Sequence, residues 1–286
     1  MQALRKRGFG WSLLTVSVLF AVAPALADAR DKAIKHFNRG FRLEVKGDID
    51  GAIAEYSEAL RLKPDYAQAH NNLGNVLSGK GELERPIAEY REALRLKPQY
   101  PEAHNNLGNA LVKKGDLEGA IAEYRATLRL EPDSFEAHGN LGVALRGKRD
   151  LDGAIAEYRE ALRLRPDCPQ AHNNLGNALG DRGNPDGAIA EYREALRLKP
   201  DYADAHANLG VALEDRGNLE GAIAEYREAL RLKPDSPQGR IGLGRSLEKQ
   251  GDGKGALDQY EAGLRLKPND SELRGAYERL SRELNR

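Results

Sequence analysis

Within residues 101–134, the apolar side chains Ala103, Leu107, Ala110 and Leu111 recur at three- and four-residue spacing, which predicts one face of a helix. Gly115 ends that run, where a helix C-cap needs a positive φ. A second apolar face follows at Ile121, Tyr124 and Leu128. Pro132 stops it, because proline has no amide hydrogen and disfavours helix in the residue before it. The unit therefore reads as two helices joined by a short turn.

The same pattern returns along the chain. Tyr56, Tyr90, Tyr124, Tyr158, Tyr192, Tyr226 and Tyr260 are each 34 residues apart, and Gly40 to Gly244 and Pro64 to Pro268 keep the same interval. Seven copies follow, at 33–66, 67–100, 101–134, 135–168, 169–202, 203–236 and 237–270. Gly108 and Ala120 fall where the two helices approach, and Tyr124 is the one large wedge between them. At the copy boundaries, Asp133-x-x-Glu136 reads as a capping box, echoed by Asp65-x-x-Gln68, Asp167-x-x-Gln170 and Asp235-x-x-Gln238. A single helix pair cannot bury its apolar face, so neighbours must stack. The ends differ accordingly. The first copy carries Arg39 and Arg42, and residues 271–286 place Leu273, Ala276, Tyr277, Leu280 and Leu284 on one stripe, as a C-terminal capping helix would.

Before the array, Arg5, Lys6 and Arg7 precede a mostly apolar stretch from Trp11 to Ala23, and Ala25-Leu26-Ala27 forms a small-x-small site. Residues 1–27 read as a cleaved signal peptide, leaving 28–270 as the array in a periplasmic or secreted protein. The apolar stretch is shorter than the roughly 20 residues that span a bilayer, so no stable membrane insertion is expected after cleavage. Cleavage also changes the charge. The chain has 44 Lys and Arg against 44 Asp and Glu, and losing three cations leaves the remainder at −3. A nucleic-acid partner is not expected, since phosphate binding needs a surplus of cations. Cys168 is the one cysteine, so no internal disulfide forms, and its Pro166-Asp167-Cys168-Pro169 setting is turn composition.

Leu107-Gly108, Ala120, Tyr124 and Pro132, repeated seven times at this interval, resemble the tetratricopeptide repeat family. The resemblance implies an all-α, right-handed superhelical solenoid of antiparallel helix pairs, whose first helices line a concave groove that holds other proteins. Departures from the family pattern are Leu77, Leu111 and Leu145 for its Tyr, His or Arg for its Trp, Pro86 and Thr127 for its Ala, and Arg149 for its inter-helix Gly. Pro86 should fall in the first turn of its helix, where a missing amide hydrogen is tolerated.

Two residue ladders run through the copies. His36, His70, His104, His138, His172 and His206 share one register. Helices packed about 8–10 Å apart space such residues too widely for a metal site, so the imidazoles are expected to fill a packing slot, and their protonation could make the array pH-sensitive. Asn38, Asn72, Asn106, Asn140, Asn174 and Asn208 lie two residues further on, turned by roughly 200° toward the groove. Asn75, Asn109 and Asn177 extend the stripe. An amide both donates and accepts, so these nine residues are the candidate site for the backbone of an extended polypeptide segment. They resemble the asparagine ladder in the repeat region of the eukaryotic O-linked N-acetylglucosamine transferases, although no glycosyltransferase domain is present. The lysines of the family's carboxylate clamp are missing: the equivalent positions are Phe37, Asn71, Asn105, Gly139, Asn173, Ala207 and Ile241.

The Glu-Tyr-Arg-Glu segments of the second helices read as solvated faces with intrahelical pairs such as Glu92 with Arg95. No phosphate loop, nucleophile triad or HExxH motif occurs, so neither an enzyme nor a cofactor is expected. A protein-binding scaffold is the favoured reading. Its competitor is a self-assembling solenoid or envelope assembly factor, forming homo-oligomers through its terminal repeats.

Overall fold

The computed structural model describes residues 13–285, with side chains from Asp28 onward. Of the expected signal peptide, residues 1–12 and the side chains of 13–27 lie outside the described residues. No helix among the described residues is long and apolar enough to cross a membrane.

Among the described residues all regular structure is helical, in two compact units divided between Leu130 and Glu131. The first contains α1 (Leu13–Val45), α2 (Ile49–Leu62), α3 (Ala67–Gly79), α4 (Glu84–Leu96), α5 (Pro101–Lys114) and α6 (Leu117–Leu130). The second contains α7 (Phe135–Gly147), α8 (Leu151–Leu164), α9 (Pro169–Asp181), α10 (Pro185–Leu198), α11 (Ala203–Asp215), α12 (Leu219–Leu232), α13 (Pro237–Gln250), α14 (Gly253–Leu266) and α15 (Ser271–Leu284). In each unit every odd-numbered helix up to α13 packs on the next to make one antiparallel pair, and successive first helices touch. The two predicted helices per copy are therefore present in all seven copies. One difference is at the start, where α1 runs unbroken from Leu13 into the first copy.

The wedge is a close contact between the largest and the smallest side chains. All seven repeat tyrosines are at most 5% exposed. The Tyr124 ring lies against Gly108 so tightly that a Cβ there would stand 2.5 Å from Cε1. Ala120, on the same helix as Tyr124, is fully buried. Pro86 sits in the first turn of α4, and Thr127 is buried with its hydroxyl donating to the Pro101 and Glu123 carbonyls at 3.3 and 3.2 Å. The C-terminal helix α15 packs on α14, and its Leu273 and Leu280 are buried.

The capping boxes expected at Asp65, Asp133, Asp167 and Asp235 do not form. Proline and aspartate occupy the turn itself, so the N-cap is the following residue: Tyr66, Ser134, Cys168 and Ser236. Only the two serines cap with their side chains, to Ala137 N and Gly239 N at 3.4 and 3.1 Å. Side-chain capping belongs mainly to the second helices. Asp48, Asp116, Asp150, Asn184, Asn218 and Asp252 each accept a bond from the backbone of a glycine three residues on.

The turn before these caps needs a left-handed residue. Gly115 has φ 87°, and Arg149, at the equivalent place, is forced to φ 66°. A side chain is disfavoured there, so Arg149→Gly is expected to stabilise the protein by roughly 0.5–1 kcal/mol, measured by urea unfolding.

Candidate functional site

The histidine register is a bracket. In α3, α5, α7, α9 and α11 each imidazole bonds through Nδ1 to a glutamate of the paired second helix, at 2.6–2.7 Å. Through Nε2 each bonds the carbonyl of the proline that ended the preceding copy, at 2.9–3.0 Å. His36 makes the first of these bonds, to Glu55 at 2.6 Å. Both nitrogens face acceptors, whereas a neutral ring carries a single N–H. For His70, burial pulls the pKa down, but the bonds to Glu89 and the Pro64 carbonyl outweigh it and the value is raised. For His104, the Glu123 bond leads and the value is again raised, against burial and nearby Arg129. In the last copy Arg240 replaces histidine, reaching Gln259 at 3.2 Å and the Pro234 carbonyl at 3.1 Å. The glutamate partners were not read from the sequence, although the paired exchange of His and Glu for Arg and Gln in one copy signals them. Among the described residues no group of three or more His, Cys, Asp or Glu is placed to hold a metal ion.

The asparagines divide into committed and open groups. Asn72 is committed at both ends, donating to the Tyr56 hydroxyl at 3.3 Å and accepting from Asn71 at 3.3 Å. Asn75 Oδ1 accepts from Tyr90 at 2.9 Å and from Asn106 at 3.0 Å. Asn106 also donates to Asn71 Oδ1 at 3.1 Å, which leaves its own Oδ1 open. Asn109 and Asn177 accept from the buried Tyr124 and Tyr192 hydroxyls at 2.7 and 2.8 Å, leaving their Nδ2 groups open. Burial raises both tyrosine pKa values, so both hydroxyls stay protonated and able to donate. Asn208 donates to Asn173 Oδ1 at 3.0 Å and keeps its Oδ1 open. Asn174 is half-buried with no bond to its amide among the described residues, Asn140 is half-buried and engaged within the chain, and Asn38 is exposed. Asn71 and Asn173, at 0% and 5% exposure, are structural members of the ladder.

In three of the four copies without asparagine at the Asn75 register, a glutamate takes over the tyrosine; the fourth has Val143 with Arg146. Glu44, Glu214 and Glu248 accept from Tyr56, Tyr226 and Tyr260 at 2.6, 3.3 and 3.0 Å. The ladder stops at Gly242 for a steric reason: a Cβ there would lie 2.5 Å from the Tyr226 ring.

The sequence reading also missed a cavity of about 470 Å³ on the first-helix side of the second unit. Its floor includes Ala188 and Tyr192 of α10, and Asn177, Asn208, Val211 and Asp215 stand around it. A smaller cavity of about 260 Å³ shares Asn208 and Val211 and continues toward Ile241 and Arg245. Val211 is 44% exposed, so the face combines amides with open apolar surface.

Stacked helix pairs with tyrosine against glycine and a proline at each boundary define an α-helical repeat protein. The chain belongs to the tetratricopeptide repeat family: tetratricopeptide repeat models match residues 105–171, 173–237 and 213–280, and a TPR repeat model matches 46–81 and 79–115. No curated protein matches the chain. Among solved structures, a tetratricopeptide repeat protein from Parabacteroides merdae is 16% identical, with TM-score 0.70 over 88% of this chain and 99% of that one. YrrB, described as a TPR protein with an unusual peptide-binding site, is 26% identical, with TM-score 0.55 over 64% of this chain and 95% of that one. PilF of Pseudomonas aeruginosa is 20% identical, with TM-score 0.65 over 76% and 97%. These likenesses bear out the all-α solenoid. Tetratricopeptide repeat proteins are in general non-catalytic scaffolds for binding other proteins.

Proposed function

We propose that this protein is an exported, non-catalytic scaffold that holds an extended segment of another protein against its asparagine-bearing first helices. One observation carries the reading: Asn106 and Asn208 present open carbonyl oxygens, Asn109 and Asn177 open amide groups, and Asn174 both. Peptide backbone offers the complementary groups at every residue, and binding through them leaves the ligand's side chains free. The peptide-binding site in the printed description of YrrB supports the same reading. Export rests on Arg5-Lys6-Arg7, the apolar stretch and Ala25-Leu26-Ala27.

The test is capture of interacting protein by a C-terminally tagged chain recovered from the extracytoplasmic fraction, with cross-linked segments mapped by mass spectrometry. Asn174→Ala with Asn208→Ala is expected to lower capture more than about tenfold while stability changes by no more than about 1 kcal/mol. Undiminished capture would remove these helices from the binding site. The recovered chain is expected to begin at Asp28, and an intact Met1 would refute cleavage.

A further inference from the structure

We propose that the cavity beside Gly180 seats one lysine or arginine side chain of the segment held on that face. This rests on the peptide-binding reading and adds the chemistry of one ligand residue.

The space exists because of a single residue. Gly180 stands in the register that Glu44, Ser78, Val112, Arg146, Glu214 and Glu248 occupy in other copies. A Cβ at Gly180 would meet Ala188 Cβ at 3.8 Å and the Tyr192 hydroxyl at 4.0 Å, ordinary contact distances, so the place could hold a side chain and does not. The vacancy costs no hydrogen bond. Where a glutamate fills this register it accepts the repeat tyrosine, but Tyr192 already donates to Asn177.

The lining then selects a cation. Gly180, Pro185, Ala188 and Val211 offer apolar contact for a methylene stem. At the rim, Arg146 Nε pairs with Asp181 Oδ2 at 2.6 Å, which cancels those two charges. Asp215 is exposed and has no ion partner among the described residues, so the lining carries a formal charge of −1. Asp181 and Asp215 are also the last residues of α9 and α11, and the carbonyl ends of both helices add negative potential at the same rim. An acidic side chain would meet repulsion there, and an apolar one would cover Asp215 without compensating its charge. The open Asn177 Nδ2 and Asn208 Oδ1 on the cavity wall supply a donor and an acceptor for the ligand backbone on either side of the seated residue.

An array of immobilised peptides of about ten residues tests this, with Lys, Arg, Glu or Leu at one central position and Ala, Ser, Thr and Gly mixed elsewhere. The labelled full chain is expected to retain Lys- and Arg-centred peptides about five- to tenfold better than Glu- or Leu-centred ones. Asp215→Lys, which suits the end of α11 and so leaves the fold intact, should abolish or reverse that preference. Gly180→Leu should abolish it by filling the cavity, with weaker binding through the amides retained. Binding without a basic preference, or a preference unchanged in both variants, overturns the inference and leaves the peptide-binding reading standing. Binding to none of the peptides overturns both.

Discussion

Tyr124→Ala is expected to cost about 3–5 kcal/mol in urea unfolding, the largest loss of any single truncation in its copy. The ring is 1% exposed and pressed on Gly108, and its hydroxyl donates to Asn109 at 2.7 Å. Truncation therefore opens a cavity between α5 and α6 and removes the donor that orients the Asn109 amide. Gly108 has no side chain to move into the gap. The converse substitution, Gly108→Ala, is expected to cost about 1–3 kcal/mol, because its Cβ collides with the ring. Combining the two should recover part of the loss, since the methyl group then enters space the ring has left. A double-mutant cycle with no favourable coupling, or a Tyr124→Ala cost below about 1 kcal/mol, would mean that the tyrosine is not the wedge between the helices.

The same contact explains what the sequence made legible. A repeat with tyrosine, glycine and proline at fixed places admits one arrangement of two helices, because the tyrosine must find the glycine and the proline must end the helix. Side-chain partners were harder to read. The Asp65, Asp133, Asp167 and Asp235 capping boxes failed by one residue, since the Pro-Asp turn takes the aspartate before the helix begins. The nine asparagines share a stripe, yet Asn72 is spent on Tyr56 and Asn71 while Asn174 is open. That difference depends on side-chain rotamers and on what the neighbouring copy offers. Comparing copies recovers part of it. Glu44, Glu214 and Glu248 occur where the Asn75 register holds Phe41, Val211 and Arg245, which marks two alternative partners for one buried hydroxyl. The copy with Val143 and Arg146 fits neither pattern, and Gly180, the smallest residue in the Glu44 register, lines the cavity.

Raising the pH from about 6 to about 9 is expected to lower the melting temperature, through the histidine bracket. The folded pKa values of His70 and His104 are raised, so their stabilisation is fully present below the unfolded imidazole value of about 6.5 and is lost as pH climbs through the folded value. The cause is geometric. Glu89 or Glu123 waits at Nδ1 and the Pro64 or Pro98 carbonyl at Nε2, and a neutral ring has only one N–H for two acceptors. Each charge-assisted bond of this kind contributes about 1.5–3 kcal/mol, so losing one in each of two copies should be visible as several degrees. The last copy supplies the control, because Arg240 with Gln259 makes the same bracket from a group that does not titrate in this range. Transplanting it, as His70→Arg with Glu89→Gln and His104→Arg with Glu123→Gln, should reduce the fall in melting temperature across the range. If the wild-type melting temperature stays flat or rises, or the transplanted pairs leave the slope unchanged, these histidines are not held as imidazolium. If the slope flattens as expected, protonation is part of what joins each of these two copies to the proline that closes the one before it.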